Sequence, residues 1–397
     1  MKPTIPYSKD IQLAFKNDPP GQWMAAYPPS AIRLNSGYPD PALVPSQEIK
    51  QATARLLDEE KDLPLHYIGS PRIPQLEKFI RQRMAKRGAG ISEKELLITS
   101  GACQAIDLVA RALLDEEAVV VIESPSYMEA LEIFQNYTAT YISIPIDEDG
   151  LKTEELAEVL SARQAKGEAL PRMLYTIPTF QNPTGTTMSL ERREHLLELA
   201  EQFDFLIVED DAYGELGFAE QPQLLKALDQ RGRVIHIGSF SKVVAPGLRI
   251  GWVSGPQELI EVLGWFKKDL GHPFAQATLS AYLETIHFDS HLKNLAAVYQ
   301  SKAEAMVKAL EEFMPESVAW YFPKGGYFLW LRIAGTDTAE LLAEAHQAGV
   351  AYVPGRYFFL EQQDGLEFLR LSFSYASKEN IREGVRLLAD IVKGNRQ

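Results

Sequence analysis

The chemistry of this chain is densest around one lysine set among hydroxyls and small residues. In Ser239-Phe240-Ser241-Lys242-Val243-Val244-Ala245-Pro246-Gly247-Leu248-Arg249 an arginine follows that lysine. The run before it, Val234-Ile235-His236-Ile237-Gly238, reads as a buried strand, so Lys242 projects from a strand end into a cleft. Lost hydration and the nearby Arg249 charge both lower a lysine's pKa there, which leaves neutral amine able to attack a carbonyl and form a Schiff base. Ser239, Ser241 and Arg249 add hydroxyl and guanidinium donors, and the guanidinium fork suits a phosphate held at two points. These residue types together describe a pocket for an aldehyde that carries a phosphate.

Other reactive groups also follow strand-like runs. Ser100-Gly101-Ala102-Cys103 is a small-residue loop entering an amphipathic helix, whose free backbone N–H groups can bind phosphate; a simple turn has the same composition. Ser124-Pro125-Ser126-Tyr127 offers an aromatic ring to lay on a planar cofactor or to pack on a helix. Asn182-Pro183-Thr184-Gly185 presents a carboxamide donor for a phenolate oxygen, within turn-forming pairs. Glu209-Asp210-Asp211-Ala212-Tyr213 follows the most apolar strand. A carboxylate buried there, opposite a ring nitrogen, would keep that nitrogen protonated; a surface acidic turn is the alternative. Leu369-Arg370-Leu371-Ser372-Phe373 sets one arginine in an alternating apolar strand, as a two-point clamp for a substrate carboxylate or as an edge-strand residue.

The elements that must position these groups form a pattern. Strands are expected at 96–99, 119–122, 141–144, 172–176, 205–208, 234–237 and 249–253, separated by helix-like segments. Continuous apolar strands in such alternation indicate an α/β fold, a mostly parallel sheet with helices on both faces and function at the strands' C-terminal ends. Residues 1–45, rich in Pro, Gly and Tyr, read as an arm across the body that belongs with the smaller domain. Residues 46–271 form the large domain, and 272–397, with a long amphipathic helix at 292–313 and a hairpin-like 325–331, a smaller α+β domain. No internal repeat or low-complexity tract interrupts this plan.

A chain of 397 residues has ample length for a large core, and 46% hydrophobic with 24% charged residues is an ordinary globular composition. A net charge of -14 argues against nucleic acid or an anionic membrane as the main partner, since both ask for a basic face. Cys103 stands alone, which rules out an intramolecular disulfide and fits a reducing cytosol. Met1 to Phe15 lacks the apolar centre of a signal peptide, and no apolar run approaches a membrane span, so a cytoplasmic location is expected.

In order and position these motifs resemble the fold-type I pyridoxal-phosphate aminotransferases, class I/II, over nearly the whole chain. The group most similar holds 2-aminoadipate aminotransferases, kynurenine aminotransferase-like enzymes and the aminotransferase domains of MocR-type regulators. Also matching are Tyr38-Pro39-Asp40-Pro41 after Gly37, Phe180-Gln181-Asn182-Pro183-Thr184-Gly185, Pro323-Lys324-Gly325-Gly326-Tyr327-Phe328 and Val353-Pro354-Gly355.

The resemblance implies roles residue by residue. Lys242 is the Schiff-base lysine and proton shuttle; Asp210 pairs with the pyridinium nitrogen; Asn182 and Tyr213 bond the phenolic oxygen; Tyr127 stacks on the ring. Phosphate falls to the Ala102 and Cys103 backbone with Ser239, Ser241 and Arg249, and the substrate α-carboxylate to Arg370, Asn182 and the Gly37 backbone. Tyr67 reaches the phosphate of a neighbouring subunit, which implies a homodimer with shared sites.

Departures are visible too. Ala102 and Cys103 replace the usual hydroxyl and amide of the family loop, so side-chain bonds to phosphate are expected to be lost while backbone donors remain. Arg72, near the substrate mouth, could meet an acidic side chain, with a surface arginine as the preferred reading, and Arg356 with Tyr357 replaces smaller residues, a second hint that substrate choice is not the family average. The expected reaction moves an amino group from an L-amino acid to a 2-oxo acid, 2-oxoglutarate foremost. The same cofactor also serves lyases, decarboxylases and racemases. A non-catalytic effector module of MocR type is a further alternative, but it needs a DNA-binding domain that the 45 residues before the body are too few to supply.

Overall fold

The computed structural model describes residues 5–394 except 8, 18, 25, 68, 220, 221, 269 and 270. The reading of Met1 to Phe15 as free of a signal segment lies partly outside these residues.

One eight-stranded sheet carries the middle of the chain. Its spatial order is Leu96–Thr99, Gly251–Ser254, Val234–Ser239, Leu206–Asp210, Met173–Thr176, Val119–Ser124, Thr140–Asp147 and Gly150–Leu151. The strands from Val234–Ser239 to Thr140–Asp147 run parallel. Gly251–Ser254 runs antiparallel to both neighbours, and Gly150–Leu151 folds back antiparallel on Thr140–Asp147. The continuous apolar strands follow from burial on both faces. Along Val119–Ser124, Val120 and Ile122 pack with Ile106 and Val109 of helix Ala102–Leu113, while Val119 and Val121 pack with Leu156, Leu160 and Leu196 on the other side. Each such side chain contributes about 1.5–3 kcal/mol, so neither face tolerates a polar residue cheaply.

The strand expected to begin at Arg249 begins at Gly251 instead. Arg249 is left-handed, with φ 51°, and closes a short helical turn at Pro246–Leu248. That turn directs its guanidinium away from the ladder and toward the loop at Ser100. Gly251 is required where it stands, since a Cβ there would lie 2.8 Å from the Gly101 carbonyl carbon and 2.9 Å from Gly238 O.

A second sheet of four antiparallel strands has the order Val318–Trp320, Phe328–Ile333, Phe368–Ser372, Val353–Pro354. Phe368–Ser372 is an inner strand, so Arg370 is not an edge residue. Helices Phe288–Phe313 and Lys378–Gly394 pack against each other in the core that adjoins this sheet. Ile32–Arg33 pairs in parallel with Val350–Ala351, and Ile32 and Leu34 sit so close over Gly384 that a Cβ there would lie 2.9 Å from Leu34 Cδ1. This attachment carries Asn35 to Gly37 over the end of the large sheet. Upstream, Asn17 Nδ2 donates to Gln135 O at 3.1 Å and Gly21 N to Glu132 Oε1 at 2.8 Å, so this part of the N-terminal segment lies against residues 132–135. Among the described residues no helix is long and apolar enough to cross a membrane.

Candidate active site

Where the parallel strands end, the chain leaves into the loops that hold Tyr127, Asn182, Asp210 to Tyr213 and Lys242. A cavity of about 500 Å³ opens there, walled by the second sheet and the segment at Gly37. Every residue given a site role from sequence borders this cavity except Tyr67.

Lys242 lies three positions beyond strand Val234–Ser239, and its Nζ donates to Gly37 O at 2.9 Å. The Tyr327 hydroxyl donates to Lys242 O at 2.8 Å and fixes the backbone. Burial pulls the amine pKa down to about 8, against the Glu129 charge and with help from Arg370 and then Arg249. The depressed amine is therefore as expected, but Arg370 outweighs Arg249 among its charged causes.

At one end of the cavity, helix Ala102–Leu113 starts from Gly101 at φ 89°, a conformation glycine adopts without strain. A Cβ at Gly101 would lie 2.6 Å from Arg249 Nη2. Arg249 is held by its bonds to Ser100 O at 3.1 Å and Pro246 O at 3.4 Å, and Ser241 N donates to Ser239 Oγ at 3.0 Å. A guanidinium, two hydroxyls and a helix N-terminus thus line one cavity, a donor set that fits a phosphate.

The two adjacent aspartates have separate fates. Asp210, the last residue of its strand, is 3% exposed and borders the cavity; Tyr175 donates to its Oδ2 at 2.7 Å and Ala212 N to its Oδ1 at 3.2 Å. Burial raises its pKa to about 6 against those two bonds. Asp211 turns away and pairs with Arg87, accepting from Nη1 and, at 3.1 Å, from Nη2. Burial alone would raise its pKa, but the Arg87 charge overrides it and holds the carboxyl below its ordinary range.

Asn182 and Arg370 meet across the cavity. Arg370 Nη1 donates to Asn182 Oδ1 at 2.8 Å, which leaves the Asn182 amide as a donor, and Nη2 donates to Asn35 O at 3.1 Å. Arg370 is 3% exposed, with its Cζ 4.0 Å from the Phe328 ring centroid. No carboxylate pairs with it among the described residues, its Nε has no partner, and burial lowers its pKa to about 10. A buried cation without a counter-charge is costly and is relieved by an anionic ligand. Tyr213 stands edge-on to Tyr327 and Phe328, with Lys242 Nζ 5.6 Å from its ring centroid.

Arg72, Arg356 and Tyr67 do not border the cavity. Glu59, Glu60 and Glu284 take up the Arg72 guanidinium. Arg356 pairs with Asp337 at 3.4 Å and lines a separate recess. Tyr67 is 86% exposed, in a surface recess with Leu65 and Phe274.

Other participants escaped the sequence reading. Glu129 reaches the cavity from helix Met128–Phe134, accepting through Oε2 from the Tyr127 hydroxyl and, at 3.1 Å, from Cys103 Sγ. With burial, this acid drives the Cys103 thiol up to about 12. Glu123 is buried beneath two loops and accepts from Thr176 Oγ1, from Ile177 N at 3.1 Å and from Gln181 Nε2 at 3.1 Å. Gln181 also donates to Pro125 O at 3.0 Å, so one side chain ties the loop before Tyr127 to the one before Asn182. An acid in a first helical turn and an acid at a strand end look ordinary in sequence; their partners come only with the fold.

Comparison with known proteins agrees with this geometry. The family profile "Aminotransferase class I and II" matches residues 29–388. Aromatic-amino-acid aminotransferase 1 of Thermococcus litoralis is 39% identical over 368 residues, 91% of this chain and 88% of that protein. The kynurenine aminotransferase of Pyrococcus horikoshii, solved in complex with PMP, superposes with a TM-score of 0.87 at 37% identity, covering 98% of this chain and 96% of the other. The alpha-aminoadipate aminotransferase of Thermus thermophilus, solved with N-(5'-phosphopyridoxyl)-L-leucine, gives a TM-score of 0.87 at 34% identity, covering 98% and 97%. The chain belongs to the class I and II aminotransferases and is a transaminase whose cofactor is pyridoxal phosphate.

Proposed function

We propose that this cavity moves the amino group of an L-amino acid to a 2-oxo acid, with Lys242 as the covalent anchor of the cofactor and the carrier of the α-proton. Pyridoxal phosphate, when bound, supplies an electron-accepting ring that stabilises negative charge at the amino acid's α-carbon and stores the amino group between half-reactions. Arg249, Ser239, Ser241 and the backbone N–H groups of Ala102 and Cys103 hold its phosphate. Asp210 keeps the ring nitrogen protonated, since a buried carboxyl that half-ionises near pH 6 becomes a firm anion against a cationic partner. The Asn182 amide and the Tyr213 hydroxyl donate to the phenolic oxygen, and Tyr127 lies on the ring. Arg370, oriented by Asn182 and Asn35, binds the substrate α-carboxylate together with the Gly37 backbone. Lys242, held between Gly37 and Tyr213, is placed to take a proton from one carbon and return it to another.

The observation that carries this reading is the buried, uncompensated Arg370 in the same cavity as a depressed lysine and a buried aspartate. A homodimer with shared sites belongs to the proposal. The recess at Tyr67 and the one that Arg249 lines have Gly271, Pro273 and Phe274 in common, so Tyr67 lies on the surface just outside the phosphate end. A cytoplasmic location belongs to it too, on the strength of the lone thiol. The test is a half-reaction screen: the absorption band of the cofactor's aldehyde form should give way to that of its amine form with suitable amino donors, and 2-oxoglutarate, the acceptor to try first, should restore it. A holoenzyme whose band no amino acid shifts would overturn the reading.

A further inference from the structure

Glu123 and Gln181 are 1% and 2% exposed, and neither borders the cavity. Glu123 is next to last in strand Val119–Ser124, and three donors converge on it from the end of the neighbouring strand and the loop beyond. Thr176 Oγ1 donates to one carboxylate oxygen, and Ile177 N and Gln181 Nε2, each at 3.1 Å, donate to the other. Burial pushes its pKa up to about 7; those bonds oppose the rise and the Asp210 charge adds to it. A buried carboxylate is strongly penalised without its donors, so the three bonds support one another.

Gln181 leaves no polar side-chain atom idle. Its Nε2 donates to Glu123 and, at 3.0 Å, to Pro125 O; its Oε1 accepts from Thr184 N at 2.9 Å and from Thr184 Oγ1 at 2.8 Å. Its backbone closes the same loop, with Gln181 N donating to Thr186 O at 2.9 Å and Gly185 N to Gln181 O at 2.7 Å. Phe180, just before it, has φ 52°, a left-handed conformation that a residue with a Cβ rarely takes and that the surrounding bonds must hold. The next residue is Asn182, whose Oδ1 accepts from Arg370, and Pro125 stands two positions before Tyr127. One acid and one amide therefore tie together the two loops that bring Tyr127 and Asn182 to the cavity.

Resting on the roles given above to Asn182 and Tyr127, we propose that Glu123 and Gln181 are positioning residues for the reaction. Glu123 is the fixed acceptor, and Gln181 is the cross-brace that aims the Asn182 carboxamide, its N–H toward the cofactor's phenolic oxygen and its oxygen toward Arg370. Neither touches cofactor or substrate; both act through Asn182 and, by way of Pro125, through Tyr127.

The test uses the holoenzyme and two readouts: the pH midpoint at which the resting cofactor band changes, and the KM of an amino donor beside turnover per bound cofactor. A donor on the phenolic oxygen favours its anionic form, so losing that donor raises the midpoint. Asn182→Ala should raise it by about one pH unit. Gln181→Met keeps the length and removes the side-chain bonds; it should raise the midpoint by about half as much or more, and raise KM about fivefold with a smaller fall in turnover. Glu123→Leu should follow it. Glu123→Gln should stay within about twofold of wild type in KM with the midpoint nearly unchanged, because its oxygen still accepts from Ile177 and Gln181 while its amide can donate to the Thr176 hydroxyl. If Gln181→Met lowers the urea midpoint of unfolding yet leaves the band midpoint and KM unaltered, the pair is merely structural and the proposal is overturned. Glu123→Gln as damaging as Glu123→Leu would also overturn it, since charge and not hydrogen bonding would then be at work. A midpoint that Asn182→Ala leaves in place would break the role of Asn182 itself. The band midpoint needs only bound cofactor, so a holoenzyme that no amino acid converts breaks the transamination reading and leaves this test standing.

Discussion

The two ends of the cavity handle charge in opposite ways. At the cofactor end, donors and acceptors belong to the ends of neighbouring strands and are supported from below: Tyr175 and Ala212 hold Asp210, and the Ser100 and Pro246 carbonyls hold Arg249. At the substrate end, the hydrogen bonds of Arg370 among the described residues go to neutral oxygens, from Asn182 and Asn35, so no carboxylate there offsets its charge in a buried setting. On the proposed roles, a bound cofactor would meet a preformed cradle, whereas the substrate would supply the missing counter-charge itself. Substrate affinity should therefore depend on one ion pair, and cofactor affinity on many smaller contacts.

Loss of the one group that belongs to both ends should do the most damage. Lys242→Ala should lower turnover by about four orders of magnitude or more, the scale for a residue that is both nucleophile and proton carrier. Noncovalent cofactor binding should survive in part, because the phosphate and ring contacts are separate from the covalent link. Borohydride reduction and peptide mapping of the wild type should find the pyridoxyl group on Lys242; any other lysine would end the assignment.

The paired aspartates sharpen the contrast within the cofactor end. Asp210→Asn should reduce turnover by about a hundredfold or more, since an amide cannot hold a proton on the ring nitrogen by charge. Asp211→Asn should act on folding, because Arg87 loses its buried partner at a cost of about 3 kcal/mol. Turnover of each variant beside its urea midpoint checks both, and near-normal turnover in Asp210→Asn would transfer the ring contact elsewhere.

At the substrate end, Arg370→Lys should raise the amino-acid KM by about thirtyfold, the equivalent of about 2 kcal/mol, while leaving the cofactor spectrum nearly unchanged. An unchanged KM for every donor would put the clamp elsewhere. The pH dependence of cofactor capture is a milder test of the same field. The Lys242 pKa lies below its ordinary 10.5, at about 8, so the amine is protonated below that pH and neutral above it. Covalent capture of pyridoxal phosphate by the apoprotein should fall about tenfold per pH unit below 8 and level off above it. Between 8 and 10.5 the unfolded chain binds more protons at this residue than the folded one, so its contribution makes the apoprotein more stable as pH rises through that window. Lys242→Met should remove both dependences, and a stability profile that it leaves unaltered would show that another group titrates.

The difference between the two ends also explains what could be read from sequence. Strand runs such as Val119 to Ile122 are continuous because both faces are buried, and Tyr127, Asp210 and Lys242 stand at or within three residues of their strands' ends, so motif and position travel together. Arg249 was legible as a residue of this cavity but not as a left-handed turn residue, since its bond to Ser100 O joins segments far apart in sequence. The substrate end draws on Asn35, Asn182, Phe328 and Arg370, which only the tertiary fold brings together. The partners of Arg72 were hidden for the same reason: its three acidic neighbours come from two distant helical ends.

The smallest expected effect concerns a residue that belongs to neither end of its own chain. Tyr67 is 86% exposed, and with Leu63 at 50%, Leu65 at 64% and Trp265 at 72% it contributes large apolar side chains to the surface. Such exposure in a folded chain marks an interaction surface, and a second copy is the occupant that would set the Tyr67 hydroxyl on a phosphate. A single hydrogen bond of that kind is worth about 1 kcal/mol, so Tyr67→Phe should weaken cofactor retention only about fivefold. Hybrid dimers make so small an effect readable. Mixing a Lys242→Ala chain with a Tyr67→Phe chain yields one site that has its own Lys242 and an intact Tyr67 from the partner, and another that carries both lesions. At limiting cofactor, the first site should retain it like wild type, while the Tyr67→Phe homodimer loses it sooner. Sedimentation as a monomer at micromolar concentration, or hybrids that retain cofactor no better than that homodimer, would confine each site to a single chain.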